Sequence, residues 1–375
     1  MSKTYGIGIM GAGNISAAYL RLAPLFKGLE LRSVADIIPE RSASRSAEFG
    51  VPDQTPAELL ANPAIDVVVN LTPPQAHYQV LMDAITAGKH AYSEKPFVLS
   101  VEQGNALKKA AAERNLRVGS APDTFLGGAH QQVRSLVDAG KIGRITSGTA
   151  HILGRGMEHW HPNPDFFFQP GAGPMLDIGP YYVTDLIQLI GPVKRATAFT
   201  GSARAERLVT AEGEFKNTTI KVGTPTTIHG VLEFHSGAIV TIGTSWDVFS
   251  HGHHNIELYG TEGSVFVPDP NFFGGEIRLG NANDEKSVVE PWDHPFGIAN
   301  SPGDHANYRA AGLADMVASI ETGIPNRCSL DVALHAVDVM TSLLRAGETG
   351  QVVTLSTTCE RPAALTPEQA RALLK

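Results

Sequence analysis

Tyr5-Gly6-Ile7-Gly8-Ile9-Met10-Gly11-Ala12-Gly13-Asn14-Ile15-Ser16 is the stretch whose reading decides the fold. Its first six residues form an apolar run of strand length, and the glycines that follow break it before a helix-forming segment begins. In that setting Gly11-x-Gly13-x-x-Ser16 matches the turn that brings a backbone close to a pyrophosphate, with Ser16 in place of the third glycine. The phosphates would meet the N–H groups at the start of the helix, where Asn14 and Ile15 stand. A tight strand-to-helix turn without a ligand gives the same pattern, so a second signal is needed. It comes from Asp36 at the end of the next strand, near the offset of roughly 20 residues expected of the acid that binds the adenosine ribose. A carboxylate there repels a 2′-phosphate, which predicts NAD over NADP, although Arg41 and Arg45 follow and could shield a phosphate.

Outward from that turn, strand and helix signals alternate up to residue 122, the pattern of a parallel sheet covered on both faces. Strands are expected at Tyr5–Met10, Leu29–Asp36, Ile65–Asn70, His90–Glu94 and Arg117–Ala121. Thr55-Pro56-Ala57-Glu58 and Ser100 with Gln103 read as helix starts, and Gly50 and Gly88 as helix stops. Two further turns fall at the carboxyl edge, where open parallel sheets bind ligands. One is Asn70-Leu71-Thr72-Pro73-Pro74 with His77, whose Thr72 and Pro73 would line the cofactor; His77 reads equally as a cofactor contact or a helix cap. The other is Ala91-Tyr92-Ser93-Glu94-Lys95-Pro96, where the proline cannot donate a ladder bond and ends the strand beside a lysine.

After Pro122 the rhythm changes. A helix over 127–139 and a strand over 145–154 lead into a loop, Arg155 to Pro174, rich in aromatic, proline and glycine residues. A helix is expected from Met175 to Ile190, then strands in direct succession, and two late helices near Asn307–Ile320 and Leu330–Glu348. Successive strands imply an antiparallel or mixed sheet. The fold class is therefore α/β: a Rossmann dinucleotide-binding domain over residues 1–122, then an α+β domain over 123–375 with a large, mainly antiparallel sheet.

The chain has 375 residues, 42% hydrophobic and 18% charged, with a formal net charge of −8 and a pI near 6.0, which argues against nucleic acid and anionic membranes as partners. The start of the chain carries no signal-peptide pattern, and a cytoplasmic location is expected. Cys328 and Cys359 show no zinc or disulfide spacing, and His251, His253 and His254 lack a carboxylate partner, so no metal is expected. Asp177 and Tyr181 stand four apart, on one face of a continuous helix, as a polar pair or as a helix charge and a packed aromatic, with Tyr182 able to fill either role. Glu158-His159-Trp160-His161, with Arg155 and Asp165, suits the wall of a pocket for a polyhydroxylated ligand, rings on sugar faces and polar groups on hydroxyls.

In this order the elements resemble the glucose-fructose oxidoreductase, inositol dehydrogenase and rhizopine-catabolism (GFO/IDH/MocA) family. The likeness rests on Gly11–Ser16, Asp36, Thr72-Pro73-Pro74 with His77, Gly88-Lys89-His90 leading to Glu94-Lys95-Pro96, and Gly173 through Tyr181. It implies that Lys95 is a catalytic lysine beside the nicotinamide, oriented by Glu94 or sharing the cofactor site with it. Burial and the cationic ring should lower the lysine's pKa. It also implies catalytic roles for Asp177 and Tyr181, the latter standing where many relatives carry histidine, and association of chains into a homodimer or homotetramer through the second-domain sheet. The expected function is hydride transfer between NAD and a carbinol of a sugar, glycoside or polyol. NAD-assisted glycoside cleavage without net redox, and a non-catalytic NAD-binding sensor, are the alternatives.

Overall fold

A computed structural model describes residues 3–375. Six strands, β1 (Tyr5–Met10), β2 (Leu29–Ala35), β3 (Asp53–Gln54), β4 (Val67–Asn70), β5 (His90–Ser93) and β6 (Val118–Ser120), form a parallel sheet in the order β3-β2-β1-β4-β5-β6. Every residue of β1 and β4 is buried, as a sheet covered on both faces requires. The strand order reverses beside β1, and the crevice this opens at the carboxyl edge holds the Gly11 turn.

Local sequence fixes the connecting helices. Thr55 accepts from the Glu58 N–H while the Glu58 carboxylate accepts from the Thr55 N–H, closing a capping box on helix Pro56–Ala61. Ser100 caps the next such helix through the Gln103 N–H, but the Gln103 side chain returns to the Leu99 N–H instead. Gly50, at φ 67°, closes helix Pro39–Phe49 in a left-handed conformation.

The second sheet has nine strands. β7 (Ile145–Leu153), β8 (Val193–Gly201), β11 (Thr227–Phe234), β12 (Ile239–Ser245), β13 (Ile256–Gly260), β14 (Ser264–Val267), β15 (Arg278–Gly280), β16 (Lys286–Val288) and β17 (Val353–Thr354) run in the order β16-β15-β14-β13-β7-β12-β11-β8-β17. β9 (Glu206–Leu208) and β10 (Thr219–Lys221) pair separately. β7 and β12 are parallel and the other pairs antiparallel, so the sheet is mixed and mainly antiparallel. Along β11, Ile228, Leu232 and Phe234 bury toward helices Gly179–Ile190 and Leu330–Thr349, while His229 and Val231 face away. That second face is open, with Phe199 83% exposed and Ile239 51%.

The chain then comes back to the first sheet. Helix Ala311–Thr322 packs beside β6, and the Ser120 N–H bonds the Cys328 carbonyl at 3.1 Å. Leu313, Met316, Leu365 and Ala370 share one core with Ile7, Ile9 and Tyr19. At about 1.5–3 kcal/mol for each large apolar side chain buried, these late residues supply a substantial part of what holds the first sheet's second face.

The helix expected over Met175–Ile190 is in fact two, Gly173–Asp177 and Gly179–Ile190, broken at Ile178. Pro180 has no N–H to continue the ladder and occupies the first turn of the second helix, where the missing donor is harmless. Among the described residues no helix is long and apolar enough to cross a membrane.

Candidate active site

Three turns at the carboxyl edge of the first sheet build one side of the site. In the first, Gly11 has φ 102°, and a Cβ there would lie 2.7 Å from the Leu71 backbone, so the position needs glycine. Gly13 differs: a Cβ there would meet nothing within 4 Å, which leaves an open cradle. The Ala12 N–H donates to Asp36 Oδ2 at 2.7 Å and the Ile38 N–H to Oδ1 at 2.9 Å, fixing the carboxylate at the cradle's edge. Asn14 is exposed on the rim and Ile15 half-buried. Arg45 donates to Ser16 Oγ at 3.1 Å and pairs with Glu48 at 2.6 Å, and Arg41 is exposed. An open backbone cradle beside an anchored acid fits the phosphates and ribose of a dinucleotide.

In the second turn, buried Asn70 accepts from the Thr72 hydroxyl at 2.7 Å and shapes the Thr72-Pro73 corner, with Pro73 exposed at the edge. His77 is fully buried, with Nδ1 2.7 Å from the Pro96 carbonyl and Nε2 2.8 Å from the Thr72 carbonyl. Both ring nitrogens face main-chain carbonyls, of which a neutral ring donates to one, so His77 braces the second turn against the third; neither of its two expected readings fits, since it is turned from the ligand side and does not cap helix Pro74–Thr86. Burial holds its pKa below the ordinary histidine range.

The third turn carries Glu94 and Lys95. The Glu94 carboxylate accepts from the Tyr19 hydroxyl and from the Lys95 N–H, both at 3.0 Å. Lys95 Nζ reaches across to the second domain and donates to Asp177 twice, to Oδ1 at 2.8 Å and to the main-chain carbonyl at 2.7 Å. The helix break makes the second bond available: the Tyr181 N–H turns back to the Ile178 carbonyl at 3.1 Å, leaving the Asp177 carbonyl without its helical donor. Both side chains are mostly buried, at 16% and 18% exposure. Lys95 Nζ also lies 5.3 Å from the centre of the buried Tyr181 ring.

Burial pulls the Lys95 pKa down, but Asp177, Tyr181 and Glu94 more than reverse it, and the ammonium is held above the ordinary lysine range. The expected lowering is therefore corrected, because the partner carboxylate lies at hydrogen-bond distance. Burial also raises Tyr181, against the opposing charges of Lys95 and Arg309. Asp123, just beyond β6, is pushed up to about 6 by burial, although the Gly312 N–H and the Arg309 guanidinium favour its charged form.

The long loop is held down by an ion pair: Glu158 meets the buried Arg207 at 2.9 Å, and Arg207 also pairs with Asp247. Glu158 is thus structural. Arg155 lines a cavity of about 240 Å³ with Ile178, Tyr182, Asn255, Asp269 and Asn271. There the Tyr182 hydroxyl accepts from Asn255 at 2.7 Å and donates to Asp269 at 3.2 Å. His159 is half-buried and Trp160 58% exposed against His161, and neither lines that cavity. Asp165 is exposed and accepts from Gln169. His253 stacks on His151 at 4.0 Å.

Sequence reasoning missed Asp123, Arg309, Asn255 and Asp269. Asp123 had a signal, since Ala121-Pro122 repeats at β6 the strand-then-proline pattern of Lys95-Pro96. Arg309 falls within the stretch Asn307–Ile320 expected as helix, whose regular part begins only at Ala311, and nothing in the sequence around Arg309, Asn255 or Asp269 marks them as site residues.

A doubly wound domain with a glycine cradle and a ribose-binding acid, joined to a sheet domain that meets it at a lysine, defines a nicotinamide-dinucleotide oxidoreductase. Residues 5–121 match the family model described as an oxidoreductase family with an NAD-binding Rossmann fold, and residues 130–266 match the GFO/IDH/MocA C-terminal domain. Together the matches span more than half the chain, which belongs to the GFO/IDH/MocA oxidoreductase family. It is 25% identical over 362 residues to a 1,5-anhydro-D-fructose reductase of Ensifer adhaerens, covering 93% of this chain and 98% of the relative. It is 26% identical over 329 residues to a levoglucosan dehydrogenase of Pseudarthrobacter phenanthrenivorans, covering 79% and 82%. A levoglucosan dehydrogenase structure with NADH and L-sorbose superposes with a TM-score of 0.80 at 20% identity, covering 95% of this chain and all of the other. An Agrobacterium radiobacter oxidoreductase solved with NAD+, L-tartaric acid and magnesium gives a TM-score of 0.78 at 16% identity, covering 94% and 98%. These two likenesses are of fold.

Proposed function

We propose that this enzyme oxidises a secondary carbinol of a sugar, glycoside or polyol to the carbonyl, or reduces that carbonyl back, using NAD held by Gly11, Gly13 and Asp36 and by the Thr72-Pro73 and Glu94-Lys95 turns. The observation that carries the reading is the Lys95–Asp177 pair, which joins the dinucleotide domain to the second domain with Tyr181 beside it. The relatives named for anhydrosugar substrates support the substrate class, as does a cavity lined by polar Arg155, Asn255, Asp269 and Tyr182.

The nicotinamide, when bound, supplies or accepts the hydride. The protein's part is the proton. At neutral pH Lys95 is an ammonium and Tyr181 a phenol, since both are held above their ordinary pKa values. In reduction, Lys95 polarises the substrate carbonyl oxygen and Tyr181 Oη delivers the proton to it. In oxidation, Tyr181 first loses its own Oη proton to solvent, and the phenolate then takes the hydroxyl proton while Asp177 keeps Lys95 aimed at the substrate oxygen. Oxidation therefore speeds up as pH rises, and reduction slows at alkaline pH.

The test is to incubate the purified protein with NAD and a panel of sugars, anhydrosugars, glycosides and polyols, following reduced nicotinamide and products. NADH accumulating with at least one carbinol supports the reading. Glycoside cleavage without NADH, or NAD binding with no turnover, overturns it. We also infer that chains pair through the open face of the nine-stranded sheet, where Phe199 and Ile239 are exposed. Phe199→Glu then gives a monomer by sizing, and an unchanged assembly refutes this.

A further inference from the structure

Arg155 is the permanent cation among the described residues that line the cavity at the helix break, and among those described residues no carboxylate lies within ion-pair distance of it. Its position is fixed all the same. The Gly154 N–H bonds the Ser245 carbonyl at 3.0 Å, the Val248 N–H bonds the Gly154 carbonyl at 3.1 Å, and Arg155 bridges to Asp247, so the main chain is pinned as it leaves β7. The guanidinium lies over the Phe249 ring, 5.7 Å from its centre. The two acids that flank it are engaged elsewhere: Glu158 meets Arg207 at 2.9 Å, and Asp247 accepts from Arg207, Thr226 and Thr227.

The rest of the lining leaves that charge uncancelled. Asp269 accepts from the Tyr182 hydroxyl at 3.2 Å and from the Asn271 N–H at 3.0 Å, and burial raises its pKa. His151 presents a buried Nδ1 with no hydrogen-bond partner among the described residues. Burial and the neighbouring His253 ring hold its pKa below the ordinary histidine range, so it is a neutral group near pH 7. Ile178 and Tyr182 line the same cavity and are the chain neighbours of Asp177 and Tyr181, so the cavity abuts the Lys95–Asp177 pair.

We propose that Arg155 determines specificity by binding a substrate carboxylate, and that the substrate class is the sugar acids, uronates or aldonates, in preference to neutral sugars. This rests on the reading of the cavity as the place where the carbinol substrate sits. A guanidinium offers a carboxylate two parallel N–H donors at fixed spacing, a match that a hydroxyl does not make. Hydroxyls are served by the other polar groups of the wall, Asn255, Asn271 and His151. One cation near the carboxyl of Asp269 balances a single negative charge and leaves a phosphate dianion in excess, so a carboxylate is preferred to a phosphate.

The test measures turnover and calorimetric binding, with NAD present, of uronates and aldonates of several configurations, each beside its neutral parent sugar and that sugar's 6-phosphate. At least one acid is favoured over its neutral parent by about 30-fold in kcat/KM, as a charge-assisted pair gives. In Arg155→Gln that preference falls to within about threefold, through a raised KM for the acid and not through kcat. Arg155→Lys, a point charge without the fork, retains part of it, and Phe249→Leu, which removes the ring beneath the guanidinium, weakens it. Neutral sugars used as well as their acids, a 6-phosphate preferred to the acid, an acid preference that survives Arg155→Gln, or failure of every acid to bind overturns the proposal. An acid that binds wild type about 30-fold more tightly than Arg155→Gln, yet yields no NADH, sinks the reading of carbinol oxidation and leaves the carboxylate site standing. Neutral carbinols oxidised without any acid preference do the reverse.

Discussion

The cofactor cradle and the proton-transfer cluster face each other across the site and are built by different means. The cradle comes from one short βαβ stretch, residues 11–16 with Asp36, and its shape is set by backbone: a positive φ at Gly11 and N–H bonds to a carboxylate. The cluster gathers Glu94, Lys95, Asp123, Asp177, Tyr181 and Arg309, and is held by charges between segments far apart in the chain. A backbone-built region fails when a glycine is changed and is indifferent at its open rim. A charge-built region keeps its fold when one member is neutralised and loses its protonation states.

The largest effect that separates the two regions is expected from Lys95→Met. Losing the group that polarises the substrate oxygen lowers kcat by about 10³-fold while the dissociation constant for NAD holds within about threefold. A parallel collapse of NAD binding, read by fluorescence titration, would break the distinction. Next comes Gly11→Ala, where a Cβ driven into the Leu71 backbone at positive φ costs about 3 kcal/mol in urea unfolding.

Asp123→Asn brings a change of similar size that depends on pH. The folded pKa of Asp123 lies above its ordinary value, so its protonated form is favoured by folding. The stability it contributes is complete below 3.8 and disappears as pH rises through about 6. Asparagine can still accept from the Gly312 N–H but does not ionise. The difference between variant and wild type should move in the variant's favour by on the order of 3 kcal/mol from pH 4 to 7. A flat difference would remove Asp123 from the charged region. The smallest effect is Gly13→Ala, where the added methyl meets open space: the melting temperature stays put while NAD affinity drops about 10-fold. A lowered melting temperature there would show that the cradle is as tightly packed at its rim as at its base.

This division also decides how much could be read from the sequence. The parallel domain was legible because each strand, cap and turn is specified within a few residues, as at Thr55-Pro56-Ala57-Glu58 and Gly11–Ser16. Lys95, Asp177 and Tyr181 were legible as residues, and their environment was not. Nothing local tells that Asp177 comes within 2.8 Å of Lys95, which reverses the direction of its pKa shift. The break at Ile178 was overridden in reading by an otherwise helical run, although Gly179-Pro180 carried the signal. His77 was placed at the right turn, but its burial depends on Pro96 packing above it. Arg309 was out of reach, because its loop joins the first sheet only through the late return of the chain.

The carbonyl freed at Asp177 has a mechanical consequence. Lys95 belongs to one domain and both of its acceptors to the other, so the ammonium works as a clasp across the cleft. Widening the cleft strips a half-buried cation of two bonds at once. A substrate oxygen that accepts from Lys95 Nζ competes with Asp177 for the same donor, so filling the site draws on the bonds that join its two halves.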